Sequence, residues 1–248
     1  MYNTKKIYYE DFFQRECEAT VVEIKDNKIV LNQTVAFPEG GGQEGDYGVL
    51  VMENGEHIPF IDTQKGVGRV LQIPDFPSIQ VETPVYHILD NEHLEKVHVG
   101  DKVIVRIDTK HRLGTTAAHS GLHIALMAAT EKIPEKVAVI KGCSINDHSG
   151  RLDFYVQEKI TPDEIQWVNQ RANEIIQSGM PIRSYPHADE PEAWYWGCGN
   201  FVCACGGTHM KNTADVGPIT VKKKSVGKTL DRMTVLLNGI ALSEEAFH

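Results

Sequence analysis

Two short motifs each place a pair of metal-binding side chains four residues apart. The first, HSGLH, has His119 and His123 at its ends, and the second, CGGTH, has Cys205 and His209. Three imidazoles and one thiolate suit a borderline-soft ion such as Zn²⁺, which binds nitrogen and sulfur in tetrahedral geometry. Residue types and spacing together predict one shared zinc site.

The neighbours of these ligands restrict the chemistry of that site. Residues four apart on a helix share a face, so His119 and His123 can reach one ion. Zinc peptidases with this spacing carry a glutamate directly after the first histidine as general base, whereas this chain has Ser120. A peptidase is therefore disfavoured. A closed set of four protein ligands is typical of structural zinc, while catalytic zinc keeps a position open. Both roles stay open here, and no catalytic residue is identified.

Two further cysteines compete with Cys205 as ligands. The chain has five cysteines, an odd number that does not suggest a secreted disulfide framework. Cys203 precedes Cys205 by only two residues, which is too short for the usual Cys-x-x-Cys knuckle. Cys198 lies in a glycine-containing stretch, WGCGN at residues 196–200, that is typical of a loop. We rank both below Cys205.

The charge of the chain argues against a protein coated with positive charge for nucleic-acid binding. The formal net charge is −9 at pH 7. One segment is locally basic, with Lys222, Lys223, Lys224 and Lys228 close together. These lysines could contact phosphate groups, or they could blunt an exposed sheet edge. Charge alone favours neither interpretation.

The sequence has no segment suited to a membrane span. A span needs roughly 20 consecutive apolar residues, and no stretch of these 248 residues approaches that. We therefore expect a cytoplasmic protein without a membrane partner.

The first part of the chain is typical of a small β-barrel or sandwich. Short runs with strand character, such as Thr20–Ile24, Ile29–Leu31 and Tyr47–Met52, are separated by glycine, proline and asparagine turns. A charged connection follows before the pattern changes. We predict a first domain over residues 1–95 and a second over residues 96–248.

The second part alternates helix and strand. An apolar stripe predicts a helix over Arg112–Thr130, and alternation predicts a strand over Arg151–Gln157. A capping box at Thr161 begins another helix, which Gly179 ends. Val221 and the run Met233–Leu237 indicate returning strands. The fold class is therefore α+β, with an antiparallel sheet and helices in the second domain.

Three separated segments resemble one known family. They are TVAFPEGGGQEGDYG at residues 34–48, DTKHRLGTTAAHSGLH at residues 108–123 and CGGTHMKNTADVG at residues 205–217. In this order they are similar to the editing domain of alanyl-tRNA synthetases. They resemble still more its free-standing relatives, the AlaX trans-editing alanyl-tRNA deacylases. The resemblance implies an N-terminal barrel with a glycine-rich loop and a zinc-binding C-terminal α+β domain.

The resemblance also implies a function. Its members hydrolyse the ester that joins a wrong amino acid, serine or glycine, to alanine-specific tRNA. It implies zinc held by the four ligands named above and a misacylated tRNA as partner. It further implies a substrate pocket, in which Thr34 could contact a serine hydroxyl, and tRNA contacts by the four lysines named above. The predicted pocket residues are Thr34, Gly41, Gly42 and Gln43.

Two alternatives to tRNA editing remain. A metal-dependent hydrolase of small aminoacyl esters or amides would use the same ligands without tRNA. A non-enzymatic RNA-binding module would use zinc only as a structural staple, and a substrate-sized pocket beside the metal would argue against it. The sequence does not decide the amino-acid preference or the oligomeric state.

Overall fold

The computed structural model describes residues 2–74 and 76–248 and confirms the predicted α+β class. Its first part is a closed barrel of short strands with two small additional sheets. In chain order the strands are β1 (Lys5–Lys6), β2 (Glu16–Lys25), β3 (Lys28–Leu31), β4 (Gln33–Thr34), β5 (Gly48–Met52), β6 (His57–Lys65), β7 (Arg69–Leu71), β8 (Ile79–Val81), β9 (Val85–Leu89) and β10 (Lys102–Ile107).

Six antiparallel strands close the barrel in the order β10-β2-β3-β9-β6-β5. Fully buried side chains such as Ile29, Leu50, Ile58 and Leu89 fill it, because alternate residues of a strand face one side. The strand β10 pairs with both β2 and β5 and so completes the ring. The barrel therefore extends to Ile107, beyond the division predicted at residue 95. The division of the chain into two domains stays a prediction.

The second part contains the helices and two larger antiparallel sheets, ordered β11-β12-β17-β16 and β13-β14-β15. Its elements are α1 (Thr109–Lys132), α2 (Pro134–Val137), β11 (Ile140–Ile145), β12 (Ser149–Tyr155), α3 (Pro162–Gln177), β13 (Ile182–Pro186), β14 (Trp194–Cys198), β15 (Phe201–Ala204), β16 (Ile219–Ser225) and β17 (Leu230–Leu237). Short 3-10 turns occur at Ile7–Tyr9, Asn91–Lys96, Thr213–Val216 and Glu244–Ala246.

Both predicted helices are confirmed, and their caps explain their limits. The side chain of Asp108 accepts a hydrogen bond from the His111 N–H and caps α1. Both bonds of the predicted capping box between Thr161 and Glu164 are present at the start of α3. Gly179, with φ of +65°, follows the end of that helix. The long helix α1 is buried over most of its length, which fixes side chains along it.

One local prediction is wrong. In the stretch of residues 196–200, interpreted as a loop, Trp196 to Cys198 belong to the strand β14 in the middle of its sheet, while Gly199 and Asn200 form the turn that follows it. Its glycines are typical of turns, but pairing with β13 on one side and β15 on the other overrides this local preference. Trp196 and Cys198 are fully buried there.

A buried ion pair joins the barrel to the second part. The guanidinium of Arg112, on α1, bonds to the carboxylate of Asp46, which lies just before β5. Arg112 also donates to the carbonyl oxygens of Phe12, at 2.9 Å, and Val35, at 2.8 Å. These bonds fix α1, which carries two predicted ligands, against the barrel.

Among the described residues, none of the helices combines the length and the apolar character needed to cross a bilayer.

Candidate metal centre

The four predicted ligands meet in one place. The helix α1 presents His119 and His123 one turn apart, and the CGGTH loop (residues 205–209), which follows β15, supplies Cys205 and His209. Their ligand atoms all lie within 4.8 Å of one another, so the group could hold a metal ion. We call these four residues the metal cluster.

The spacing within the metal cluster fits a tetrahedral ion. The Sγ atom of Cys205 lies 3.3 Å from Nε2 of His119, 3.3 Å from Nε2 of His123 and 3.5 Å from Nε2 of His209. Metal bonds of about 2.3 Å to sulfur and about 2.05 Å to nitrogen, at tetrahedral angles, would separate these atoms by about 3.5 Å. The three sulfur–nitrogen distances are therefore close to those of a coordination tetrahedron.

The second ring nitrogen of each histidine faces a different partner. The Nδ1 atom of His119 lies 2.8 Å from Oε1 of Gln43. The Nδ1 atom of His123 lies 3.5 Å from Sγ of Cys203, and that of His209 lies 3.5 Å from Oγ of Ser184. A proton on Nδ1 leaves Nε2 free for a metal, and such outer partners orient ligating histidines. Neither Cys203 nor Ser184 was predicted in this role.

Gln43 connects the barrel to the metal cluster. Its side chain is fully buried. Besides facing His119, its Oε1 accepts a bond from the Thr208 N–H at 3.1 Å, and its Nε2 donates to Oγ1 of Thr208 at 2.9 Å. Oγ1 of Thr208 lies 2.7 Å from Oγ1 of Thr116 on α1. The predicted pocket residue thus contacts a ligand and the ligand loop directly.

The glycine loop (Gly40–Gln43) brings Gln43 to this position. Backbone bonds join Gly40 and Gln43 in both directions, and φ is +61° at Gly41 and +90° at Gly42. The Gly42 carbonyl accepts from the Ile145 N–H at 2.7 Å. A Cβ at Gly42 would stand 2.7 Å from the Cys143 carbonyl oxygen. Only glycine fits between the loop and β11.

Ser120, which replaces the glutamate of a peptidase, has a structural role. Its hydroxyl donates to the Thr116 carbonyl at 2.9 Å and accepts from the Met210 N–H at 2.8 Å. The hydroxyl therefore ties α1 to the residue directly after the CGGTH loop. This bond helps to hold the two halves of the ligand set together.

Burial disfavours charge on every member of the metal cluster. It lowers the pKa of His123 to about 4. Burial, and after it the neighbouring histidines, lowers the pKa of His119 and of His209 well below the usual range. Burial likewise raises the pKa of the Cys205 thiol. The imidazoles are therefore neutral and ready to coordinate, and a bound cation would stabilise the thiolate.

The other predicted pocket residue, Thr34, is bonded inside the barrel. It is fully buried, and its Oγ1 lies 2.8 Å from Nε2 of His87. It also accepts a bond from the Ala36 N–H at 3.0 Å. Burial lowers the pKa of His87 to about 4, so this ring is neutral at pH 7. The structure joins Gln43, but not the Thr34 hydroxyl, to the metal cluster by hydrogen bonds.

Of the four predicted lysines, Lys222, Lys223 and Lys224 lie on the edge strand β16, and Lys228 lies in the connection after it. Asparagine side chains of α3 bond to the backbone of Ile219 and Val221 on this edge. The lysines begin directly after Val221, the last residue of this edge to which those asparagines bond. Nζ of Lys223 lies 3.7 Å from the buried Asp231 carboxylate. Lys222, Lys224 and Lys228 are exposed. Their position agrees with edge protection and leaves phosphate contact open.

A cavity opens beside the metal cluster. Its volume is about 730 Å³, and His209 forms part of its wall. The strand β13, the segment from Tyr9 to Phe12, and Trp194 also line this cavity. Ligand sites of small molecules commonly have this size. A substrate-sized space next to the ligands argues against a purely structural staple.

Replacing Gln43 by methionine is expected to weaken metal binding. Methionine keeps the length of the side chain but removes both polar atoms, which leaves Nδ1 of His119 and the Thr208 N–H without their partner. Loss of such an outer partner typically lowers metal affinity about 10- to 100-fold. Competition with a chromophoric chelator would measure this. The matched variant is Gln33→Met, in a half-buried side chain of β4 whose Nε2 donates to the Glu18 carbonyl oxygen. It should bind the metal as wild type does, and an unchanged affinity in Gln43→Met would contradict the role of Gln43.

Comparisons with known proteins show similarity over most of the chain. Residues 197–234 match the family model described as the threonyl and alanyl tRNA synthetase second additional domain. The chain is 30% identical to "Alanyl-tRNA editing protein AlaX-M" of Pyrococcus horikoshii, over 94% of this chain and 98% of that protein. It is 30% and 32% identical to alanine–tRNA ligases of Sulfurisphaera tokodaii and Metallosphaera sedula, over 88% of this chain in each case. The chain spans about a quarter of those ligases, 24% of each.

Proposed function

The chain belongs to the family of alanyl-tRNA editing proteins, and on this premise we propose that it hydrolyses the aminoacyl ester of misacylated alanine-specific tRNA. The substrate is Ser-tRNA or Gly-tRNA, and the reaction proofreads aminoacylation in trans. The observation that carries this proposal is the meeting of the three family motifs: Gln43 of the glycine loop bonds to His119 of the HSGLH motif and to Thr208 of the CGGTH loop.

The metal that we propose is Zn²⁺. One thiolate and three imidazoles match its ligand preference, and the three distances from the Cys205 sulfur to the histidine Nε2 atoms fit its bond lengths. Ca²⁺ and Mg²⁺ prefer oxygen ligands, which this set does not offer. When bound, zinc would act as a Lewis acid on the ester or on water. His119, His123, Cys205 and His209 would hold it.

The reaction itself is an ester hydrolysis. A water oxygen bonds to the carbonyl carbon, the bond from that carbon to the ribose oxygen breaks, and the ribose oxygen takes a proton. The products are the free amino acid and uncharged tRNA. Negative charge develops on the carbonyl oxygen between these events, so donors that face it accelerate the reaction.

Two backbone N–H groups of the CGGTH loop already have hydrogen-bond partners within the metal site. The Gly207 N–H bonds to the sulfur of Cys205, and the Thr208 N–H bonds to Gln43. Both N–H groups therefore help to position the metal ligands and are not free to bond to a substrate. Within this loop, Gly206 is the residue that we propose to face the substrate, together with backbone groups of Gly41–Gln43.

Recognition of a serine hydroxyl by Thr34 stays a prediction. The Thr34 hydroxyl is bonded to His87, so such a contact requires it to exchange that partner for the substrate. A pocket hydroxyl that rewards a substrate hydroxyl would reject the methyl group of alanine. Replacement of Thr34 by valine tests this, because it should lower the rate on the seryl ester more than the rate on the glycyl ester.

Incubation of the protein with Ser-, Gly- and Ala-charged alanine tRNA tests the function. We expect loss of the seryl and glycyl esters and survival of the alanyl ester. The same amino acids as simple methyl esters provide the comparison. Equal turnover of methyl esters and charged tRNA would favour the small-ester hydrolase, and no turnover of either would contradict an enzymatic role.

The double variant Lys222→Glu/Lys224→Glu is expected to weaken tRNA binding. Each lost phosphate contact should lower the slope of log affinity against log salt by about 1. Lys223 is left intact because it is paired with Asp231. The control is Lys25→Glu/Lys102→Glu, which changes two exposed lysines of the barrel by the same charge. If both variants had the salt dependence of wild type, these lysines would serve only the sheet edge.

A further inference from the structure

Tyr9 is placed at the metal cluster although no sequence motif points to it. It ends the 3-10 turn Ile7–Tyr9, far along the chain from every ligand. In the fold it lines the cavity to which His209 also contributes. A polar side chain of the N-terminal segment therefore faces the space where a substrate of the cluster would lie.

The ring of Tyr9 is held in a fixed position. It stacks on the indole of Trp194 with a centroid distance of 4.9 Å and an interplanar angle of 11°. The Tyr8 ring lies against it at 4.7 Å. The carbonyl oxygen of Trp194 accepts the backbone N–H of Cys205 at 2.8 Å. The same residue thus positions both the Tyr9 ring and the sulfur ligand.

The hydroxyl of Tyr9 lies at the CGGTH loop. Its oxygen is 3.2 Å from the point where a Cβ at position 206 would stand. Gly206 follows the ligand Cys205 directly, so the phenol oxygen lies beside the cluster, and Tyr9 is also one of the residues that line the cavity. The ring directs its hydroxyl to the place that we assign to the reacting ester.

The Tyr9 hydroxyl keeps its proton at neutral pH. An unperturbed phenol has a pKa near 10. Burial raises the pKa of Tyr9 further. The group is therefore a neutral hydrogen-bond donor, and it does not act as a base.

We propose that the Tyr9 hydroxyl donates a hydrogen bond to the carbonyl oxygen of the aminoacyl ester, a bond that strengthens as this oxygen gains negative charge. The inference rests on the proposed ester hydrolysis. Tyr9 transfers no proton. The attacking water supplies the proton that the ribose oxygen takes, and the electron pair returned from the carbonyl oxygen expels that ribose oxygen.

The variant Tyr9→Phe tests the inference because it keeps the ring and its stacking but removes the donor. Loss of one such donor lowers kcat about 100- to 1,000-fold, and we expect this on Ser-tRNA with KM raised by no more than about tenfold. Metal content and melting temperature should equal those of wild type. The matched control is Tyr195→Phe, since Tyr195 neighbours Trp194 but stacks on Tyr185 instead. Its kinetics should be those of wild type.

A binding measurement separates this inference from the proposed function. The probe is 3′-seryl-amino-3′-deoxyadenosine, a stable amide in place of the ester. Loss of one hydrogen bond should weaken its binding to Tyr9→Phe about two- to tenfold. If wild type cleaves Ser-tRNA and Tyr9→Phe retains both kcat and probe affinity, the Tyr9 inference is wrong and the function stands.

The experiment also distinguishes failure of the proposed function from failure of the Tyr9 inference. If wild type cleaves no charged tRNA, the proposed function fails, and the probe alone then decides the role of Tyr9. Weaker binding to Tyr9→Phe would support a carbonyl contact. Equal binding, or no binding to wild type, would contradict it. A Tyr9→Phe protein that loses metal in proportion to activity would show a structural role instead.

Discussion

Replacement of Cys205 by alanine is expected to release the metal and to stop deacylation of misacylated tRNA. The sulfur lies 3.3–3.5 Å from Nε2 of all three histidines, so it is the common neighbour within the metal cluster. Removal of an outer partner costs about 10- to 100-fold in affinity or activity, and removal of a ligand should cost more. Elemental analysis of the purified variant and a Ser-tRNA assay measure the two effects.

The matched control for Cys205 is Cys17→Ala. Cys17 is a half-buried thiol of the barrel strand β2 and is not a member of the metal cluster. This variant should keep the metal and the activity. Circular dichroism distinguishes a metal-free but folded Cys205→Ala protein from an unfolded one. A folded Cys205→Ala variant that lacks metal yet deacylates at the wild-type rate would show that the metal has no part in the reaction.

The ligand set could be predicted from sequence because its geometry is local. His119 and His123 are one turn apart on a capped helix, and Cys205 and His209 are joined by a short glycine turn. Each pair is set by its own segment. Only the meeting of the two pairs depends on the tertiary fold. The residue types predicted this meeting as well, because three imidazoles and one thiolate suit a single zinc ion.

The outer contacts of the site could not be predicted in this way. Ser184 reaches His209, and Tyr9 reaches Gly206, only because β13 and the N-terminal segment fold around the cluster. No spacing in the sequence encodes these distances. The family resemblance indicated Gln43 as a pocket residue, but its bond to His119 became visible only in the structure.

In the barrel, too, the individual strands could be predicted from the sequence but their pairing could not. Its individual strands were predicted from alternation and turns, including Val103–Ile107. The pairing of that strand with β2 and β5 is a long-range property, so the sequence pattern did not reveal that it closes the barrel. The glycine-containing strand β14 was missed for a related reason: its two neighbours, not its composition, make it a strand.

Replacement of Gly207 by alanine is expected to displace His119 within the metal cluster and so weaken metal binding. The added Cβ would stand 2.3 Å from Cε1 and 2.5 Å from Nδ1 of His119, and 2.7 Å from Oε1 of Gln43. The His119 ring cannot simply move, because its Nδ1 faces Gln43 and its helix is buried. Overpacking of this kind costs about 1–3 kcal/mol, which corresponds to a loss of about 5- to 150-fold in metal affinity.

The expected result for Gly207→Ala is therefore a weaker metal site with the remaining fold intact. Titration with Zn²⁺ measures the affinity, and deacylation should recover as the metal concentration rises, because the ligands are all still present. Gly197→Ala is the matched control: this glycine is also buried, yet its added Cβ would meet Val202 at an ordinary 3.5 Å. Wild-type affinity in Gly207→Ala would mean that His119 can shift without loss, and that the close approach of Gly207 does not position this ligand.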